Sequence, residues 1–152
     1  MNFLKFFKKE KPTLSTLTEK QVTGNIGERA ALEYLEGLGY ILKEKNWRHS
    51  HSEIDLIMND NGSIVFCEVR TQREESLHYK TQSESISENK KASLSRGAAY
   101  YMGKFDGVVP CRFDIVEITL EKNCVKNINH IKNAFYKTHS KTKGSRYKSC
   151  RH

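Results

Sequence analysis

The 152-residue chain has only two prolines and one tryptophan, and apolar residues make up just 37% of it. It contains no run of 18 apolar residues, which excludes a transmembrane helix. The opening Met1–Phe7 stretch is interrupted by Lys5 and followed by Lys8, Lys9, Glu10 and Lys11, so it lacks the apolar core of a secretory signal. Cys67, Cys111, Cys124 and Cys150 form no C-x-x-C pair, which predicts reduced thiols in a cytoplasmic protein. No internal repeat or low-complexity stretch interrupts residues 13–135. What is present suffices for one domain with its own core, and the lean apolar content is not that of a wholly disordered chain.

Positive charge is in excess, 26 Lys and Arg against 18 Asp and Glu, for a net +8. A basic surface attracts phosphate backbones, so the placement of the excess matters. Residues 1–12 carry +3, residues 136–152 carry +6, and residues 13–135 carry −1. The organisation expected is a basic tail over residues 1–21, a folded domain over 22–135 and a basic, disordered tail over 136–152. The last tail reads equally as a solubilising segment or as an arm that tracks nucleic acid.

Within the domain, Ile26, Ala30, Ala31, Tyr34, Leu35 and Leu38 recur at helical spacing, and Gly39 follows where a left-handed cap is usual. Strands are expected over 40–45, 53–58 and 64–70. A second helix is expected from about Ser87 to Met102, with Ser85 and Glu88 at capping-box spacing. A strand over 112–119 follows, and Val125, Ile128 and Ile131 suggest a short edge strand before Asn133-Ala134-Phe135 closes the core. Helix, three strands, helix and strand together predict an α/β sandwich around a mixed sheet.

The chemistry gathers on one predicted hairpin. Asn61-Gly62 is a strong signal for a type I′ turn, since both central residues need positive φ. That turn pairs residues whose numbers sum to 123, which sets Asp55 opposite Glu68, with Arg70 two residues further on the same face. Facing carboxylates repel unless a cation lies between them, and a divalent ion neutralises both while also binding phosphate oxygens and water. An ordinary solvated face with a cross-strand salt bridge has the same pattern. Ile54, Leu56 and Met58 should share one face with Val65, Cys67 and Val69, while Ile57 and Phe66 are apolar on the other. Both faces then look covered, and carboxylates are costly in such a setting. Glu28 lies at the border of the first helix's apolar stripe, from which it could lean toward the pair; an acid complementing the helix dipole is the alternative.

Gly24-Asn25-Ile26-Gly27-Glu28-Arg29-Ala30-Ala31, Asn46-Trp47-Arg48, Glu53-Ile54-Asp55-Leu56-Ile57 and Val65-Phe66-Cys67-Glu68-Val69-Arg70 resemble the YraN family of small bacterial proteins. Lys90-Lys91, Ala98-Ala99-Tyr100-Tyr101, Cys111 to Val116 and Asn133-Ala134-Phe135 extend the resemblance over about residues 22–135. It implies a restriction-endonuclease-like three-layer α/β sandwich of the PD-(D/E)XK superfamily, similar to archaeal Holliday junction resolvases. It also implies a nuclease acting on DNA, branched or single-stranded, with Mg²⁺ or Mn²⁺ as cofactor. Glu28, Asp55 and Glu68 would be the metal-site acids, and Arg70 takes the place of the motif's lysine. A homodimer is implied in the same way, since resolvase-like relatives pair to handle two strands, although no interface is legible in the sequence.

Three positions depart from the family pattern: Ser52 for Gly, Arg70 for Lys and Gln72 for Arg. Arg keeps its charge and cannot serve as a base, so a non-catalytic nucleic-acid-binding protein with a degenerate nuclease site is the alternative function. His49, His51 and Cys67 lack the second ligand pair of a zinc site. Lys90, Lys91 and Arg96 suit either a phosphate track or a solvated basic face. Asp114, inside an apolar strand, is expected to pair with Arg112. Phe3, Leu4, Phe6 and Phe7 among lysines are a further, weaker indication of a membrane-surface anchor.

Overall fold

A computed structural model describes residues 17–75 and 86–136. Residues 1–16 of the first predicted tail, with the anchor segment, residues 137–152 of the second and Ser85 lie outside the described residues, while residues 19–21, expected in the first tail, belong to α1. The elements run α1 (Glu19–Gly37), β1 (Ile41–His49), β2 (Ser52–Asp60), β3 (Ser63–Arg73), α2 (Glu88–Met102), β4 (Cys111–Glu121) and β5 (Cys124–Phe135). The strands form one mixed sheet in the order β1-β2-β3-β4-β5. Only β3 and β4 are parallel, and α2 makes the crossover between them.

Helix α1 covers one face of the sheet. Its Ala31 and Leu35 pack with Tyr40, Leu56, Met58, Val65, Cys67, Val116, Ile118 and Leu120. Helix α2 covers the other, where Leu94, Ala98 and Tyr101 pack with Trp47, Ile54, Ile57, Ile64, Phe66, Phe113 and Phe135. The three predicted layers are therefore present, with strands apolar on both faces. Phe135 stacks on Phe113 with centroids 4.6 Å apart, which ties the end of β5 to the core as expected.

The helix ends follow local chemistry. Thr18 caps α1 in a capping box with Gln21, so the helix starts at Glu19, ahead of the expected domain boundary. Gly39 follows the C-cap Leu38 with φ of +89°, a conformation that glycine adopts without strain. For α2 the cap is Ser87, whose hydroxyl accepts from the Lys90 amide, so the Ser85–Glu88 box is corrected to a Ser87 cap.

The edge strand is longer than expected: β5 has 12 residues and pairs along β4. A tight turn through Lys122 and Asn123, with φ of 46° and 65°, joins them. Both conformations are left-handed, and lysine at the first of them is a weak turn signal, so the hairpin was hidden in the sequence.

Candidate metal and phosphate site

The β2–β3 hairpin forms as the sequence predicts. Asn61 and Gly62 have φ of 50° and 90°, the Asn59 side chain accepts from the Gly62 amide, and pairing keeps one register from Asp60–Ser63 to Leu56–Cys67. Pairing then stops at Asp55. There Asp55 Oδ2 accepts a 2.7 Å hydrogen bond from the Val69 amide, so a side chain bridges the strands where the backbones part. The alternation of β2 breaks at the same point. Ile54, expected beside Leu56 and Met58, lies on the α2 face with Ile57, while Leu56 and Met58 lie on the α1 face. Across from Asp55, between the pairs Lys45–Leu56 and Trp47–Ile54, Asn46 adopts φ of 51°. Asparagine tolerates that conformation, and both strands deviate together at the acid.

Glu68 belongs with Phe66 on the α2 face, and its side chain is 13% exposed. Its Oε2 is buried without a hydrogen bond, although Lys90 Nζ stands 2.9 Å away as an ion pair. Burial is the main reason that the Asp55 carboxyl is pushed up to about 7; the neighbouring Glu68 adds to it, and Glu28 adds less. The Val69 amide and Lys90 pull in the other direction without offsetting these effects.

Glu28 projects from α1 toward the same end of the sheet. Asn46 Nδ2 donates to its Oε2 at 3.2 Å, and Lys45 Nζ is 3.7 Å from that oxygen. Because α1 starts at Glu19, Glu28 lies well past the first turn, and the dipole role falls to Glu19. Close packing sets the helix here. A Cβ at Gly27 would lie 1.7 Å from Thr71 Oγ1 on β3, so only a residue without a side chain allows this approach. Arg70 reaches Glu117 on β4 at 3.8 Å, whereas Lys90, read from sequence as part of either a phosphate track or a solvated basic face, stands at Glu68. The signal that could have marked Lys90 is its position in a first helical turn, where a cation opposes the helix dipole.

Among the described residues no three His, Cys, Asp or Glu side chains converge closely enough to form a ready cage for an ion. Two carboxylates, one of them balanced only by the Lys90 ammonium, still fit a hard divalent cation, which needs one or two such ligands and completes its shell with water and phosphate. A zinc site does not assemble. Cys67 is buried among aliphatic side chains, which pushes its thiol pKa far up, and His49 stacks on Tyr100 at a centroid distance of 3.4 Å.

Ser52, the departure from glycine, is accommodated structurally. Ser52 is buried and donates to the Ser93 carbonyl of α2, and a Cβ at Gly97 would lie 3.0 Å from Ser52 Cβ, so small residues set this helix–sheet contact. Asp114 is structural, as expected. Fully buried, it accepts from Arg112 Nε and the Asn133 amide and contacts His130 Nε2 at 3.0 Å, while Arg112 also bonds Asp60 and the Tyr40 hydroxyl. Burial opposes the charge of both partners, but these bonds hold the Arg112 pKa above and the Asp60 pKa below its ordinary value.

A mixed five-stranded sheet between two helices is the architecture of a restriction-endonuclease-like α/β protein. The profile of Uncharacterised protein family UPF0102 matches residues 27–118. A UPF0102 protein of Caldicellulosiruptor saccharolyticus is 40% identical over 119 residues, covering 76% of this chain and 98% of its own. A UPF0102 protein of Bacteroides thetaiotaomicron is 37% identical over 120 residues, covering 79% and 97%. The chain belongs to the UPF0102 family, the YraN family resembled by its sequence motifs. Among the described residues no helix is long and apolar enough to cross a membrane.

Proposed function

We propose that this protein is a metal-dependent nuclease that hydrolyses DNA phosphodiesters, with branched or single-stranded DNA as its substrate. The observation that carries this reading is the half-buried Asp55–Glu68 pair at the parting of β2 and β3. Burying two adjacent carboxylates opposes folding, and the Val69 hydrogen bond to Asp55 and the Lys90 ion pair to Glu68 offset that only in part, since the Asp55 carboxyl is still pushed up. When bound, Mg²⁺ or Mn²⁺ supplies charge neutralisation and activation of a water for attack. Asp55 and Glu68 would hold the ion, with Glu28 reaching it after release from Lys45 and Asn46. In the reaction a water oxygen bonds to phosphorus. The phosphorus–oxygen ester bond breaks, its electron pair leaves on the sugar oxygen, and the two protons of the water end on the products or solvent. Arg70, beside the pair on β3, adds positive charge for the phosphate.

A second reading, a DNA-binding protein whose nuclease site has decayed, is favoured by Arg70 in the place of a lysine. Incubation with single-stranded, duplex and four-way-junction DNA in Mg²⁺ and in Mn²⁺ separates the two. Cleavage by the wild type that is lost in Asp55→Asn supports the nuclease. Salt-sensitive DNA binding without cleavage supports the second reading, and identical behaviour of wild type and Asp55→Asn in every assay removes the first.

A further inference from the structure

The site contains a lysine that the strand motif does not provide. Lys90 stands in the first turn of α2, where its own amide donates to the Ser87 cap and where the helix dipole disfavours a cation. Its neighbour Lys91 is matched within the helix by Glu88 at 2.8 Å. Lys90 instead reaches across to β3 and places its ammonium 2.9 Å from Glu68 Oε2. A residue that violates a local preference while satisfying a buried acid marks a functional position. The side chain is also 36% exposed, so the ammonium borders solvent from which a phosphate would approach.

We propose that Lys90 is the lysine of this site: its ammonium, delivered by α2, balances the Asp55–Glu68 pair and, with DNA bound, contacts an oxygen of the phosphate. The second half rests on the nuclease reading; the first does not. In the metal-free protein the ammonium and a divalent ion are competing counter-charges for Glu68. In the DNA complex the same charge lies beside the phosphate, a role that Arg70, extended toward Glu117, performs less directly.

The test uses Lys90→Met, which keeps the aliphatic stem, and Lys90→Arg, which keeps the charge. Without DNA, calorimetric titration with Mn²⁺ is expected to show about tenfold tighter binding to Lys90→Met, because a competing positive charge is gone. With DNA and saturating Mn²⁺, single-turnover cleavage by Lys90→Met is expected to fall by about 10²–10³, with partial recovery in Lys90→Arg. Opposite signs in the two arms do not follow from a merely structural role. Mn²⁺ affinity that is unchanged or weakened in Lys90→Met overturns the proposal, as does undiminished cleavage. If the wild type cleaves no DNA, the nuclease reading fails alone. The Mn²⁺ arm still decides whether Lys90 balances the pair. The phosphate contact is then read from DNA affinity, whose logarithmic salt slope should drop by about one in Lys90→Met, an unchanged slope counting against it.

Discussion

Asp55 Oδ2 accepts its 2.7 Å hydrogen bond from the Val69 amide at the point where β2 and β3 stop pairing. The carboxylate thereby joins the framework of the sheet and remains beside Glu68, whose charge it feels. One residue serves as both a strand bridge and a candidate metal ligand, and the two roles conflict whenever no cation is present.

That conflict makes stability depend on pH. The Asp55 carboxyl is raised from an ordinary value near 3.8 to about 7, mainly by burial. Between these values the folded protein retains a proton that the unfolded chain has released. The contribution is fully present below about pH 4 and is lost as pH rises through about 7. Urea unfolding of the metal-free protein should show the wild type losing on the order of 3 kcal/mol relative to Asp55→Asn between pH 4 and pH 8. A difference that does not change over this range contradicts the assignment.

Gly27 is needed for α1 to approach β3. Gly27→Ala should destabilise the fold by roughly 1–3 kcal/mol despite alanine's higher helix propensity, since the new Cβ would overlap Thr71 Oγ1. Thr71→Ala in the same chain removes that oxygen and should restore part of the loss. Denaturant midpoints of the two single variants and the double variant measure the coupling.

Asp114 holds Arg112, His130 and the Asn133 amide together under Tyr34 and Tyr40. Asp114→Ala leaves the half-buried Arg112 guanidinium, the buried His130 ring and the Asn133 amide without their shared partner and should cost about 3–5 kcal/mol in urea unfolding. Because the network is structural, a change smaller than that of an ordinary surface substitution would be inconsistent with it.

The tails carry the excess positive charge, and the domain between them does not. If DNA is the partner, deleting residues 137–152, which carry six Lys and Arg and no acid, should flatten the salt dependence of DNA affinity. Measurement by fluorescence anisotropy at several salt concentrations checks this. An unchanged slope would assign the phosphate contacts to residues outside 137–152.

Much of the site was legible because short-range rules governed it. Asn61-Gly62 fixed the turn, the turn fixed the register, and the register brought Asp55 toward Glu68. Where side chains replaced backbone pairing, those rules failed. Regular alternation placed Ile54 with Leu56, but the break at Asp55 and the left-handed Asn46 across from it moved Ile54 to the other face. Lys90 was hidden for a different reason. Its place in the first turn of α2 was a local signal that it is unusual, but its partner Glu68 lies on the strand before α2, and no local pattern names a contact made by packing a helix across a sheet. The length of β5 was missed through its turn, since Lys122 is not a residue that announces positive φ.

The central claim is that Asp55 and Glu68 together form a divalent-cation site. Calorimetric titration of Mn²⁺ into the full-length wild type, Asp55→Asn and Glu68→Gln tests it most directly. One ion per wild-type chain, with affinity lost or reduced by at least about tenfold in either variant, is the predicted result. Absence of binding to the wild type, or equal binding by all three proteins, would contradict it.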